Sequence, residues 1–471
     1  MTPRLLAEMF QKIWEDESAP DTWKIGLIVK LPKKGNLSDY NNWRGITLLS
    51  LTSKIFSKVI HIRLSKSLGD KLREEQTGFR PGKSCSDHIF TLRQILEQSN
   101  EWNAPLYANF VDMEKAFDSI HRESLWKILR HYGVPQKIVN VIKMLYSNFS
   151  SRVINNNTLS DAFKVNTGVK QGCNLSPFLF VLGMDWIMRT TIGTERRGVR
   201  WNFTSVLEDL DFADDVALLA HRHQDMQGKT SDMASTAGQI GLRISSRKTK
   251  HMRMNNRNNA AIIVNGEALE EVEYFTYLGS KMTTDGDSEK EVRERISKAS
   301  QAFASLKTIW RTRKISTKTK LRLFKSNVLS ILLYGAESWK MTKGISHKLE
   351  VFQNRCLRRL LNIFYPNTIS NSALHERTNT KPITLEVRAR RWRWIGHVLR
   401  MPQASLPKIA LRWTPDGRRK RGRPKETWRR TVEREMKEQG WTWNFLERRA
   451  VDRPQWRALV SALCTTACEE D

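Results

Sequence analysis

The stretch that most restricts how this chain can fold is Leu207 to Ala220, LEDLDFADDVALLA. Two short apolar runs flank an acidic FADD tip, a pattern that predicts a β-hairpin with Asp214 and Asp215 at its turn. Adjacent carboxylates repel each other, so such a tip is costly to bury unless a cation or a base lies close. Taken alone, an Asp-Asp pair is more often a solvated acidic turn. A divalent-metal site needs a third carboxylate from elsewhere in the chain and a reason to bind phosphates.

A candidate for that carboxylate lies about a hundred residues upstream. Leu106 to Val111 read as a buried strand that ends in Asp112, followed by the start of a helix running on to Gly133. An acid at a strand end is either a helix N-cap or a ligand, and the local pattern leaves both open. Phe117, beside Asp118, falls at the strand-to-helix transition. If the fold brings Asp112 to Asp214 and Asp215, the three carboxylates form a set able to hold two Mg²⁺ ions, one at a primer 3′-hydroxyl and one at a triphosphate.

Phosphate binding is where composition enters. Lys and Arg number 79 against 49 Asp and Glu, a formal charge of +30, which argues for a polyanionic partner. Nucleic acid outranks a membrane surface, because no basic amphipathic anchor stands out and no run of about 18 apolar residues exists. The N-terminal segment resembles neither a secretory signal nor a transit peptide, so nucleus or cytoplasm is the expected location. The five cysteines, Cys85, Cys173, Cys356, Cys464 and Cys468, are scattered with no C-x-x-C, as expected of reduced thiols.

Along the chain, residues 4–16 have helical apolar spacing, and WKIGLIVKLPKKGN alternates like a strand ending in a loop with Lys30, Lys33 and Lys34. From Trp43, WRGITLLSLTSKIFSKVIHIRLSKSL is expected to become helical, with Leu51, Ile55, Val59 and Ile62 on one face. A Gly/Pro loop carrying Arg80 and Lys83 feeds a helix capped near Ser86 or Asp87. GVKQGCNLSPFLF places Gln171 and Gly172 in a turn before a helix with Pro177 in its first turn; the two could approach a planar base, or simply form a loop entering a buried helix. A helix is expected over 224–238, and GLRISSRKTK as a strand with a basic tip at Lys248. VEYFTYLGSKMTTDG reads as a hairpin, and helical basic segments follow from about Ser288. Residues 381–430 hold 16 Lys and Arg against three acids, interleaved with tryptophan. Trp392, Trp394, Trp441 and Trp443 are read evenly as core of a small helical domain or as base-stacking platforms. RGRPK also resembles a minor-groove or nuclear-import segment.

Seven motifs in collinear order, NNWRGITLLS, QTGFRPGKSCSDHI, FVDMEKAFD, GVKQGCNLSPFLF, LDFADDVALL, GLRISSRKTK and FTYLGS, resemble the reverse transcriptase of a non-LTR (LINE-type, RTE-like) retrotransposon. The resemblance covers nearly the whole chain and implies an α+β right-hand polymerase with an antiparallel palm sheet. Fingers are expected over 1–104, palm over 105–287, a thumb-like helical region over 288–375, and a basic, mostly helical nucleic-acid-binding region over 376–471. It implies an RNA-directed DNA polymerase that uses two Mg²⁺ (or Mn²⁺) ions on Asp112, Asp214 and Asp215, with the Met113 backbone assisting. Phe117 matches the steric gate against ribose, and Gln171 and Gly172 the template and nucleotide motif. Lys248 matches the general acid for pyrophosphate, Tyr277, Leu278 and Gly279 the primer grip. Arg44 and Arg80 match finger positions near triphosphate or template. The implied partners are an RNA template, a DNA primer or target and dNTPs. An endonuclease domain, expected in the family, has no counterpart in this sequence, so a catalytically silent or domesticated fragment that only binds RNA or DNA is the competing expectation. Gly45, Ser245 and Phe212 depart from the usual proline, asparagine and tyrosine; none is a metal ligand.

Overall fold

A computed structural model describes residues 3–33, 35–193, 195–201 and 205–464; Lys34 and Cys468 lie outside the described residues. Alternating apolar residues near the N-terminus make strand β1 (Ile25–Pro32), which pairs antiparallel with β2 (Trp43–Leu48) and parallel with a strand over Ser150–Asn155. Trp43 to Leu48 is thus strand where helix was expected. Its branched residues, followed by a break at Leu49 and Ser50, pair across to β1 before the helix begins. Helix α1 (Leu51–Leu68) buries Phe56, Ile60, Leu64 and Leu68, with Phe56 against Phe10 and Trp23. The face bearing Leu51, Ile55, Val59 and Ile62 is its solvent side. Both sides of this helix are apolar, and the core forms on the one that offers an aromatic ring.

Helix α2 (Cys85–Trp102) starts from Ser84, whose side chain and that of Asp87 form a reciprocal capping box, two to three residues before the cap expected near Ser86 or Asp87. It leads into β3 (Leu106–Val111), the centre of a five-stranded sheet. The acidic hairpin supplies β4 (Asp209–Phe212) and β5 (Asp215–Ala220), and β6 (Lys250–Met254) and the short β7 (Glu270–Glu271) complete it in the order β7-β6-β3-β5-β4. Four strands run antiparallel; the edge pair β6–β7 is parallel. Most of GLRISSRKTK is a loop: Ile244 makes only an isolated bridge to Met113, and the strand starts at Lys250.

The sheet is covered on both faces, which is why its central strands β3 and β5 read as nearly continuous apolar runs. Tyr107, Val111, Val216 and Leu218 pack with helices Ser176–Ile192 and His223–Gln239 in one core. Leu106, Ala108, Phe110, Ala217 and Leu219 face α2 in a second. That second core extends into the C-terminal region: Phe90 on α2 meets Trp394 and Trp428 at centroid distances of 5.7 and 4.8 Å. Trp392, Trp394, Trp413, Trp428 and Trp456 are all buried, Trp441 and Trp443 partly so. The indoles of this region therefore build its core. A third core joins helices between Val292 and Val387. The helix expected to start after Asp112 and run on to Gly133 is broken at Ile120 and His121 into segments Ala116–Ser119 and Arg122–His131. No described helix is long and apolar enough to cross a membrane.

Candidate catalytic cleft

Sheet register alone brings the three acids together. Val111 lies opposite Val216, so Asp112, one residue past β3, comes level with Asp215, the first residue of β5. Phe212 pairs with Asp215, leaving Ala213 and Asp214 as a two-residue turn with Ala213 at φ +58°. Asp112 is strapped at its backbone: its N–H donates to the Thr249 hydroxyl at 3.2 Å and its carbonyl accepts from Ser245 N–H at 2.9 Å. The same loop presents Lys248, whose Nζ stands 3.5 Å from Asp112 Oδ1.

The carboxylates feel one another. Surrounding protein, then Asp214 and Asp112, push the Asp215 acid up to about 6. Burial and Asp112 also raise Asp214, with Arg44 on β2 opposing. Asp112 Oδ1 is shielded from water and receives no hydrogen bond, with the Lys248 ammonium standing off at 3.5 Å. Among the described residues no three His, Cys, Asp or Glu side chains stand in a ready ligating arrangement. Hard oxygen donors in excess of nearby positive charge, one of them undersatisfied, fit a divalent cation such as Mg²⁺.

The other expected residues line up unevenly. Phe117 is half-buried and stacks on Phe180 at 4.5 Å. Gln171 Nε2 donates to Asp118 Oδ1 at 2.9 Å, and the Gln171 carbonyl accepts from Thr47 N–H at 2.6 Å, so its turn is fastened between β2 and the Phe117 segment. Gly172, at φ +129°, leaves no room for a Cβ beside the Thr47 carbonyl. Arg44 is exposed and near enough to Asp214 to lower its acid. Arg80 is committed elsewhere: its guanidinium donates to the carbonyls of Gly69, Arg73 and Gln76 and staples its own loop. Tyr277 is buried, and its hydroxyl donates to the Leu210 carbonyl of β4 at 2.8 Å. Only Leu278 and Gly279, at φ +48° and +77°, form the tip of the hairpin made by Tyr274–Tyr277 and Ser280–Thr283.

Several residues that hold the cleft were not among the expected site residues, although Gln76, Thr77 and Gly78 open the QTGFRPGKSCSDHI motif. Gln76 is fully buried; its Oε1 accepts from Ala213 N–H and from Gly78 N–H, each at 2.9 Å. A Cβ on Gly78 would stand 2.9 Å from Ala213 Cα and closer still to its nitrogen. Thr77 N–H donates to the Asp211 carbonyl at 2.9 Å, so residues 75–78 lie along β4 as an extra rib. Behind the turn, Arg73 contacts the buried Asp209 and stands 3.5 Å from both Asp211 and Glu75. Arg122 donates to the carbonyls of Val165, Thr167 and Gly168 and sets the approach to Gln171. The spacing of QTG before an aromatic residue was the one cue to the Gln76 latch; its partner is 137 residues away.

A central acidic hairpin against a strand-end aspartate, on a mostly antiparallel sheet covered by helices on both faces, defines a polymerase palm of the right-hand type. The chain belongs to the reverse transcriptase (RNA-dependent DNA polymerase) family, whose model matches residues 31–282, more than half of it. Residues 302–334 match a domain of unknown function. The chain is 31% identical over 182 residues to the transposon TX1 uncharacterized 149 kDa protein of Xenopus laevis, covering 39% of this chain and 14% of that one. It is 29% identical over 225 residues to the retrovirus-related Pol polyprotein from type-2 retrotransposable element R2DM of Drosophila melanogaster, covering 46% and 20%. A probable RNA-directed DNA polymerase from transposon BS of the same fly is 24% identical over 402 residues, 81% of this chain and 43% of that one. The chain thus spans less than half the length of each of these relatives. Among solved structures, Candida tropicalis telomerase in complex with a fragment of telomeric RNA aligns with a TM-score of 0.42 at 14% identity, covering 86% of this chain and 68% of that one.

Proposed function

We propose that this chain is an RNA-directed DNA polymerase that extends a DNA primer on an RNA template by two-metal nucleotidyl transfer, as in target-primed retrotransposition. The observation that carries this reading is the convergence of Asp112, Asp214 and Asp215, where burial and the neighbouring carboxylates raise the acids of Asp214 and Asp215. Asp112, Asp214 and Asp215 would hold two Mg²⁺ ions, which when bound neutralise the triphosphate and favour the ionised primer 3′-hydroxyl. In the transfer, the 3′-oxygen bonds to the α-phosphorus as the bond from that phosphorus to the bridging oxygen breaks, and pyrophosphate leaves.

The residues have separable parts in this. Arg44 reaches toward the triphosphate from β2. Lys248 carries the role its motif implies, giving a proton to the leaving pyrophosphate. The Phe117 ring closes the space a ribose 2′-hydroxyl would need. Gln171 and the Cβ-free Gly172 offer a flat shelf to the templating base, and Leu278 and Gly279 hold the primer end. The excess of positive charge supplies sequence-independent affinity for the duplex.

Primer extension on poly(rA)/oligo(dT) with dTTP and Mg²⁺ tests the reading. Incorporation that EDTA abolishes is expected. Tight, salt-sensitive template binding with no incorporation overturns it and leaves a binding-only fragment.

A further inference from the structure

The segment that latches the catalytic turn ends in an exposed aromatic ring. Phe79 follows Gly78 directly, is 53% exposed, and sits at φ +55°. A bulky side chain rarely occupies the left-handed region, and residues held there concentrate at functional sites. Here both flanks are fixed. On one side Gln76 binds the N–H groups of Ala213 and Gly78, and on the other the Arg80 guanidinium binds the carbonyls of Gly69, Arg73 and Gln76. The outcome is a ring thrown out of the core rather than into it. Its one aromatic neighbour among the described residues is Phe117, at 6.5 Å in an edge-on arrangement of 79°. Phe117 is in turn backed by Phe180.

Packing does not account for this arrangement, since half of the Phe79 surface meets solvent. A π-face held rigidly beside the sugar gate, one residue beyond the Gly78 contact with the catalytic turn, is chemically suited to the flat face of a nucleobase. We infer that Phe79 is a substrate-touching wall of the nucleotide pocket, stacking on the incoming deoxynucleotide next to Phe117 and setting its affinity. The inference rests on the polymerase reading above. It adds a second aromatic contact, supplied by the latch segment, to the gate supplied by the Asp112 segment.

The test measures dNTP binding and incorporation separately in the full chain. Binding is read by anisotropy of a fluorescent dNTP titrated into the protein with an RNA template and a dideoxy-terminated DNA primer, where no bond can form. Phe79→Gly and Phe79→Ala are expected to weaken dNTP binding about tenfold, the worth of one base–aromatic stack. Phe79→Trp is expected to stay within twofold of the native chain. Phe79→Gly removes the left-handed backbone penalty, so its melting temperature is expected to match or exceed that of Phe79→Ala. Loss of affinity without loss of stability is what a purely structural role does not produce. On an extendable primer the same variants should raise KM with kcat within about threefold. Unchanged dNTP affinity in Phe79→Gly, or an affinity loss that follows only its stability, overturns the inference. Binding of dNTP without any extension by the native chain overturns the polymerase reading instead and leaves the Phe79 comparison valid.

Discussion

Replacing Gln76 by Ala is expected to loosen the catalytic turn from behind. The side chain is fully buried, and its carbonyl oxygen is the acceptor for two backbone donors, Ala213 N–H and Gly78 N–H, both at 2.9 Å. Nε2 returns a longer contact of 3.4 Å to the Ala213 carbonyl. Truncation strands both donors in a dry site. Each unsatisfied buried group costs about 1–3 kcal/mol, so about 2–6 kcal/mol is at stake, toward the low end if water fills the hole. The turn itself leans on this latch, because Ala213 at φ +58° is a conformation alanine adopts only under constraint. Once it relaxes, Asp214 and Asp215 lose their fixed position, and kcat should fall at least about tenfold. Urea unfolding with an unchanged m-value, together with single-nucleotide incorporation at saturating substrate, measures both. Gln76→Met keeps the volume but not the acceptor, and should lose nearly as much. A stability change under about 0.5 kcal/mol in Gln76→Ala, with native kcat, would refute the latch.

Arg73→Met leaves Asp209 and Asp211, both fully buried, without their shared cation, and should cost about 3–5 kcal/mol by urea unfolding; a loss below 1 kcal/mol would show those acids to be held by something else. Glu97 has its acid raised from 4.5 to about 7 by burial, against the N–H of Trp428 and the charges of Lys340, Arg93 and Arg429. The folded chain therefore holds this proton after the unfolded chain has released it, so stability falls as pH rises from about 4.5 through 7 and levels off above. Glu97→Gln should remove that slope and gain on the native chain by about 2–3 kcal/mol between pH 5 and pH 8 in paired denaturation curves; parallel curves would contradict it. Phe117→Ala should admit ribonucleotides, and its ratio of dNTP to rNTP kcat/KM should drop at least about tenfold. An unchanged ratio would remove Phe117 from the gate.

How much of this was legible beforehand depended on the range of the interaction. The three acids were readable because apolar runs next to them are local signals, and sheet register does the rest. Helix α1 shows the limit of periodicity: Leu51, Ile55, Val59 and Ile62 do share a face, but Phe56, Ile60, Leu64 and Leu68 share another, and only the tertiary partner Trp23 decides which is buried. Trp43 to Leu48 was hidden because its apolar residues merge with those of that helix, the break at Leu49 and Ser50 carrying no Gly or Pro to mark it. Arg80 shows the converse, since a charge near a phosphate-binding motif can be consumed by three nearby carbonyls. The Gln76 latch, the Arg73 cluster and the burial of Trp428 beneath Glu337 and Glu97 all join segments more than 90 residues apart, and apart from the QTG of the latch, which does not name its partner, no local pattern announces them.

Polymerase activity of this chain would depend most directly on Asp112, Asp214 and Asp215. Single-turnover incorporation of one dNTP by the native chain and by the single variants Asp112→Asn, Asp214→Asn and Asp215→Asn isolates it, with folding checked by thermal unfolding. Each variant should unfold at or above the native temperature, because removing one of several mutually repelling carboxylates relieves the cleft. Each should also incorporate at least about a hundredfold more slowly, the scale of losing a group that stabilises transition-state charge. Incorporation at native rates in any folded variant would contradict the site.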